Sequence, residues 1–144
     1  MSESCPLPGP KSNDERAIIG KLVKAKRIAI VGLSDNPNRP SYGVAAYLQS
    51  IGKDIIPVNP TIKETLGVKA VASLRDIEGP VDLVDVFRRP EACAEVVRQA
   101  VAIGAKGVWL QAGIRSKEAR QIAADAGMDY VESRCLMVEH RMAG

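Results

Sequence analysis

Arg27-Ile28-Ala29-Ile30-Val31-Gly32 is apolar after its first residue and stops at a glycine. A strand wetted on one face alternates apolar and polar residues. This run does not, so it predicts a central strand of a parallel sheet, covered on both faces. Towards the C-terminus follow a polar, proline-containing loop over residues 33–40 and a segment over 41–51. In that segment Val44, Tyr47, Leu48 and Ile51 recur at helical spacing before Gly52, which predicts a helix with a glycine stop.

The same unit repeats along the chain. Asp54-Ile55-Ile56-Pro57-Val58 predicts a second strand and Leu83-Val84-Asp85-Val86-Phe87 a third. The stretch between them is weakly patterned and predicts a short strand and one helical turn around 73–77. Pro90 suits the first turn of a helix running to Ile103, with Cys93, Val96, Val97, Ala100 and Val101 facing inward. Gly107-Val108-Trp109-Leu110 predicts a fourth strand, and Ser116 caps a helix whose buried stripe is Ala119, Ile122, Ala123 and Ala126. Tyr130-Val131-Glu132 predicts the last strand. N-terminal to Arg27, Ser12-Asn13-Asp14-Glu15 reads as a capping box for a first helix with Ile18, Ile19, Leu22 and Val23 on one face. Residues 1–12, with Pro6, Pro8, Gly9 and Pro10, predict a mobile arm. Alternating strands and helices imply right-handed crossovers and an α/β fold: one open parallel sheet of about five strands with helices on both faces.

The chain has 144 residues, which suits a single domain over 13–144. Aromatic residues are only 3% of it, so the core is built from aliphatic side chains, and base-stacking platforms for nucleic acid are not expected. Twenty Lys and Arg against 17 Asp and Glu give a net charge of +3, enough for an anionic small molecule but no basis for binding DNA or membrane. No apolar run reaches the length of a membrane span and no signal-peptide pattern is visible, so the expected location is the cytoplasm. Cys5, Cys93 and Cys135 are widely spaced, which predicts neither a disulfide framework nor a zinc site, and His140 is the single histidine.

In open parallel sheets ligands bind beyond the carboxyl ends of the strands, where strand order reverses. That rule selects the loops 32–43, 59–63, 87–90, 111–115 and 133–136. Ser41, Tyr42 and Gly43 begin the helix after the first strand, where unpaired N–H groups and the positive dipole end form a phosphate cradle. Arg39 can add a bidentate clamp and Ser34 a hydroxyl donor. The dinucleotide fingerprint G-x-G-x-x-G is present only in its first glycine, Gly32, and Val58 is followed by Asn59-Pro60 rather than an acid for a ribose diol. A Walker loop is absent as well. The residues therefore point to a nucleotide pyrophosphate belonging to neither a standard NAD nor an ATP ligand.

Gly32-Leu33-Ser34, Arg39-Pro40-Ser41-Tyr42-Gly43, Val58-Asn59-Pro60, 82–88, Trp109-Leu110-Gln111-Ala112-Gly113 and Arg134-Cys135 together resemble the small stand-alone CoA-binding domain proteins. These are similar to the Rossmann-like N-terminal domain of the succinyl-CoA synthetase alpha subunit. The resemblance implies coenzyme A, or an acyl-CoA, across the carboxyl edge of the sheet. Gly32, Leu33, Ser34, Arg39, Ser41, Tyr42 and Gly43 would surround the pyrophosphate. Val58, Asn59, Pro60 and Lys63 would flank the adenosine and its 3′-phosphate. Phe87, Arg88 and Arg89 would wall the adenine, and Gln111 and Gly113 would lie nearer the pantetheine. The synthetase reaction uses a phosphorylated histidine in a separate domain, so it does not carry over to His140.

Cys135 has two readings, a reactive thiol near the pantetheine tip or a buried small hydrophobe, and the second is preferred. Asp82 and Asp85 are expected to be paired or exposed at strand ends, Trp109 to be core or pocket wall, and His140 to be an exposed tail residue. No converging acid, base or nucleophile is visible, so the expected function is a non-catalytic binding module. An enzyme acting on an acyl thioester and an NAD(P)-type nucleotide-binding protein are the alternatives. Association with a protein partner or a second copy is compatible with the sequence.

Overall fold

The computed structural model describes residues 10–143. Five parallel strands form the main sheet in the order β2-β1-β5-β6-β7: β1 is Arg27–Val31, β2 Asp54–Val58, β5 Leu83–Val86, β6 Gly107–Leu110 and β7 Asp129–Val131. Around it lie α1 (Asn13–Leu22), α2 (Pro40–Ser50), α3 (Pro90–Ala102), α4 (Lys117–Asp125) and α5 (Leu136–Ala143). A two-stranded antiparallel ribbon, β3 (Glu64–Thr65) and β4 (Val68–Lys69), and a 3₁₀ turn at Leu74–Asp76 fill the connection between β2 and β5.

β1 is the middle of the sheet in the sense the sequence implied. Ile28 is in register with Ile55 on one side and Leu83 on the other. Successive side chains enter opposite layers. Ile28 and Ile30 join Leu83, Trp109, Val44, Leu48 and Leu136 in one core, and Ala29 and Val31 join Val84, Val86, Val108, Cys93 and Val97 in the other. The chain moves from β1 outward to β2, returns past β1 to β5, and continues away through β6 and β7. Strand order thus reverses between β1 and β5, which opens a crevice beyond Val31 and Val86.

Four expectations change. The C-terminal segment is helical rather than an exposed tail: α5 packs on α2, and the half-buried His140 ring meets Tyr47 edge-on with Nδ1 2.8 Å from the hydroxyl. Residues 10–12 of the expected arm are held in place, because Pro10 O accepts from Arg134 and Lys11 pairs with the buried Glu139 at 2.9 Å. Residues 1–9 of that arm lie outside the described residues. The single short strand expected before the third main strand is instead the β3–β4 ribbon, turned by Leu66 and Gly67 at φ 54° and 75°. On α3, Cys93, Ala94, Val97 and Ala100 are buried while Val96 and Val101 are only half-buried. No helix among the described residues is long and apolar enough to cross a membrane.

Candidate functional site

The crevice begins at Gly32. Its φ is +86°, and a Cβ there would stand 2.4 Å from Phe87 O, so only glycine lets the loop after β1 pass the loop after β5 this closely. The Gly32 N–H donates to Val58 O at 2.9 Å, which ties the end of β1 to β2. Beyond it the loop is organised by its own polar side chains. Ser34 N–H donates to Ser41 Oγ at 3.0 Å, Asn36 N–H to Ser34 Oγ at 2.9 Å and Asn38 N–H to Asn36 Oδ1 at 2.9 Å. Asn59 Nδ2 donates to Leu33 O at 3.0 Å and Thr65 Oγ1 to Ser34 O at 3.3 Å, so β2 and β3 brace the loop from the side.

Two helices start at this edge without a side-chain cap. α1 and α4 are capped by Ser12 and Ser116, whereas α2 and α3 follow Arg39 and Arg89, each with proline at the first turn and no side-chain hydrogen bond to the helix. Proline removes one orphan donor, and the Tyr42, Gly43 and Ala92 N–H groups already donate to Arg39 O or Arg89 O, so the Ser41 and Glu91 N–H groups and the dipole are what favour an anion in front of these helices. Before α2 lies a cavity of about 320 Å³ lined by Gly32, Ser34, Arg39, Pro40, Ser41 and Phe87. Along the flank of α3 a second cavity, of about 240 Å³, includes Val58, Pro60, Ser73, Arg88, Glu95, Val96 and Gln99 in its lining.

The structure thus gathers Gly32, Ser34, Arg39, Ser41 and Phe87 at one cavity and Val58, Pro60 and Arg88 at the other. Tyr42, Gly43, Lys63 and Arg89 stand on the same edge outside both linings, and no atom approaches a Cβ built at Gly43 within 4 Å. Other expected residues do different work. Leu33 is fully buried in the core. Asn59 is a brace. Gln111 is 4% exposed, and its Oε1 accepts the Leu136 N–H at 3.1 Å, so it caps α5. The Gly113 N–H donates to Ser133 Oγ at 3.2 Å. Sequence reasoning missed the α3 face of the second cavity, where Ala92, Glu95, Val96 and Gln99 line up at helical spacing, together with Ser73. The signal was that stripe, read as inward-facing for Val96 alone.

Two titratable residues also depart from expectation. Asp85 is not at a strand end; it is the third residue of β5, fully buried, with no hydrogen-bond partner for either carboxylate oxygen. Burial pushes its carboxyl well above the usual carboxylate range. Asp82, by contrast, accepts from the Arg27 N–H at 3.0 Å and pairs with Lys106, as expected of a strand-end acid, and that backbone hydrogen bond is the largest cause holding its carboxyl low. Cys135 is buried, as its preferred reading had it, but it is disulfide-bonded rather than a free thiol, a bond that the spacing of the cysteines did not suggest. Cys93 is free; burial pushes its thiol up to about 11, and Sγ lies 3.4 Å from Arg89 O. No group of three or more His, Cys, Asp or Glu among the described residues is arranged to hold a metal.

The geometry agrees with what known proteins show. The profile of a CoA binding domain matches residues 26–141. A protein of Bacillus subtilis (strain 168), Uncharacterized protein YneT, is 44% identical over 129 residues, which is 89% of this chain and 96% of that one. The acetate–CoA ligase [ADP-forming] II subunit alpha of Pyrococcus furiosus is 30% identical over 120 residues, and the match covers 76% of this chain but only 26% of that subunit. Among solved structures, a hypothetical protein from Pyrococcus horikoshii OT3 superposes with a TM-score of 0.85 at 39% identity, covering 99% of both chains. With its parallel sheet, its glycine crossing at the reversal of strand order and a profile match over most of its length, the chain belongs to the CoA binding domain family.

Proposed function

We propose that the chain binds coenzyme A or an acyl-CoA along the carboxyl edge of its sheet and acts as a binding module. The observation that carries this reading is the uncapped start of α2 facing a cavity shared by Gly32, Ser34, Arg39, Ser41 and Phe87. A pyrophosphate there would meet the Ser41 N–H, the positive end of the helix dipole and the Arg39 guanidinium, and Gly32 and Gly43 present no Cβ to obstruct it. Ser41 Oγ already accepts from Ser34 N–H, so its own proton remains available to donate to a phosphate oxygen.

The second cavity suits the adenosine. Val58, Pro60 and Val96 supply apolar wall, Ser73, Gln99 and Glu95 supply polar groups, and Arg88 lines the same cavity. Arg88, Arg89 and Lys63 are placed to offset the 3′-phosphate, and Gln111 and Gly113 lie towards β6 on the path the pantetheine would take. The ligase named for the Pyrococcus furiosus relative is a far longer protein, so its reaction stays with that protein, while delivery of CoA to a protein partner is compatible with the module. We place the protein in the cytoplasm on the same reading.

Calorimetry with CoA, dephospho-CoA and NAD tests this. The expected result is a one-to-one CoA isotherm, a response to dephospho-CoA weaker by about tenfold for one lost charge-assisted contact, and weaker binding of NAD than of CoA. Absence of CoA binding, or tighter binding of NAD, overturns it.

A further inference from the structure

Cations outside ion pairs concentrate at two places among the described residues. One is the carboxyl edge, with Arg39, Lys63, Arg88 and Arg89. The other is the opposite end of the sheet, where Lys24 and Lys26 precede β1 and Lys53 precedes β2. Arg16, Lys69, Arg75, Lys117 and Arg141 are exposed singly over the rest of the described surface, while Arg98 pairs with Glu95 and Glu118, and Arg115 and Arg120 with Glu132.

Between α1 and α5 at this second place lies an open groove of about 1030 Å³. Its apolar lining is the exposed Ala17, Gly20 and the buried Val23 along and just after α1 and the exposed Ala143 on α5, and a Cβ added to Gly20 would meet nothing within 4 Å. Its polar lining is Lys21, Lys24, Lys53 and His140, with no carboxylate among the described lining residues. Lys21 is neutralised by Asp129 at 2.6 Å. Lys53 instead donates to Val23 O at 3.0 Å, and neighbouring Lys26 to Gly52 O. Burial first and then the Lys26 charge lower the Lys53 ammonium, and burial first and then Lys53 lower the His140 imidazole, so these groups repel one another. With Nδ1 engaged by Tyr47, the second ring nitrogen of His140 remains for a partner.

We propose that this groove docks an acidic segment of a partner protein. The charge asymmetry calls for carboxylates, and the Ala and Gly of the lining let a backbone approach closely. A single small anion would fill little of such a volume. Nucleic acid would want aromatic platforms, and the lining offers only the imidazole. The groove lies away from the carboxyl edge, so a partner seated here leaves that edge open.

The test is ¹⁵N NMR titration of the full chain with a short Glu/Ala peptide, its Gln/Ala counterpart, inorganic phosphate and a single-stranded oligonucleotide. The Glu/Ala peptide is expected to shift residues 17–24, Lys53 and 140–143 while the Gln/Ala peptide does not. Lys24→Glu, at an exposed site, is expected to weaken the peptide by about tenfold. Gly20→Leu, which fills the groove where the helix has room, is expected to weaken it as well with the folded spectrum retained. The proposal is overturned if the peptide leaves these resonances unmoved, if both variants bind it as the parent does, or if phosphate or the oligonucleotide shifts the same residues at equal or lower concentration.

Discussion

Asp85 occupies a position in β5 where an aliphatic residue would satisfy every neighbour. Its register partners are Ile30 and Trp109, both fully buried, and neither carboxylate oxygen finds a donor. In the folded chain the carboxyl holds its proton far above the pH at which the unfolded chain releases it, about 4. The folded state therefore binds more protons across that interval, and the stability this group contributes below pH 4 is lost as pH rises towards the folded value. Asp85→Leu is expected to flatten the decline and to raise stability at pH 8 by roughly 1–3 kcal/mol, the cost of an unsatisfied buried polar group. Urea unfolding of parent and variant at pH 5 and pH 8 measures it; parallel pH profiles would count against the assignment. Gly32→Ala is the complementary case. Placing a Cβ at φ +86° and 2.4 Å from Phe87 O should cost at least the roughly 1–3 kcal/mol of a strained backbone position and should abolish CoA binding, as thermal melts and calorimetry would show. An alanine variant with parental stability and affinity would contradict the close crossing.

At the scale of elements, α2 and α5 divide two tasks. α2 presents a start without a side-chain cap to the proposed pyrophosphate, and the Arg39 side chain makes no hydrogen bond to the helix, so Arg39→Ala, which keeps the backbone carbonyl that accepts from Tyr42 and Gly43, should leave the melting temperature unchanged while weakening CoA by roughly 1.5–3 kcal/mol. Equal losses of stability and affinity would mean that Arg39 is structural. α5 is held by Gln111 at its start, by Glu139 with Lys11 and Arg134, and by His140 against Tyr47. Burial, with Lys53 second, lowers the His140 imidazole, so the stability that its neutral form contributes is present above the unfolded value of about 6.5 and is lost as pH falls through the lower folded value. Stability of the parent should drop more steeply than that of His140→Gln between pH 7 and pH 5, read by chemical denaturation. Identical slopes would remove His140 from the clamp.

These two helices also show why some of the molecule was legible in the sequence and some was not. α2 follows a strand, carries proline at its first turn and stops before Gly52, all of it local information. α5 has no local cap; its first N–H is satisfied by Gln111, distant in sequence, and its eight residues are too few to establish a period. The β3–β4 ribbon was obscured for a similar reason, since strands of two residues cannot display alternation. Within the site, Gly32, Arg39 and Ser41 could be selected because the sheet rule names their loop before any contact is known. Asn59 and Gln111, read as ligand residues, also brace the fold, through Leu33 O and the Leu136 N–H, partners that no local pattern names. Asp85 escaped because its burial depends on coverage of β5 by elements from both halves of the chain.

For the whole molecule, the reversal of strand order between β1 and β5 is the feature on which the functional reading rests. It brings Gly32 against Phe87 and starts α2 and α3, which cover opposite faces of the sheet, from the ends of adjacent strands, each behind an Arg-Pro pair. The amino end of the sheet carries its own excess of positive charge, so the molecule offers an anionic ligand two ends to choose between. A crystal structure of the CoA complex distinguishes them most directly. The expected result is a pyrophosphate within hydrogen-bonding distance of the loop between Gly32 and Ser41, with Arg39 against it and the adenosine between Val58 and α3. A pyrophosphate placed anywhere else, above all beside Lys24 and Lys53, would contradict the account.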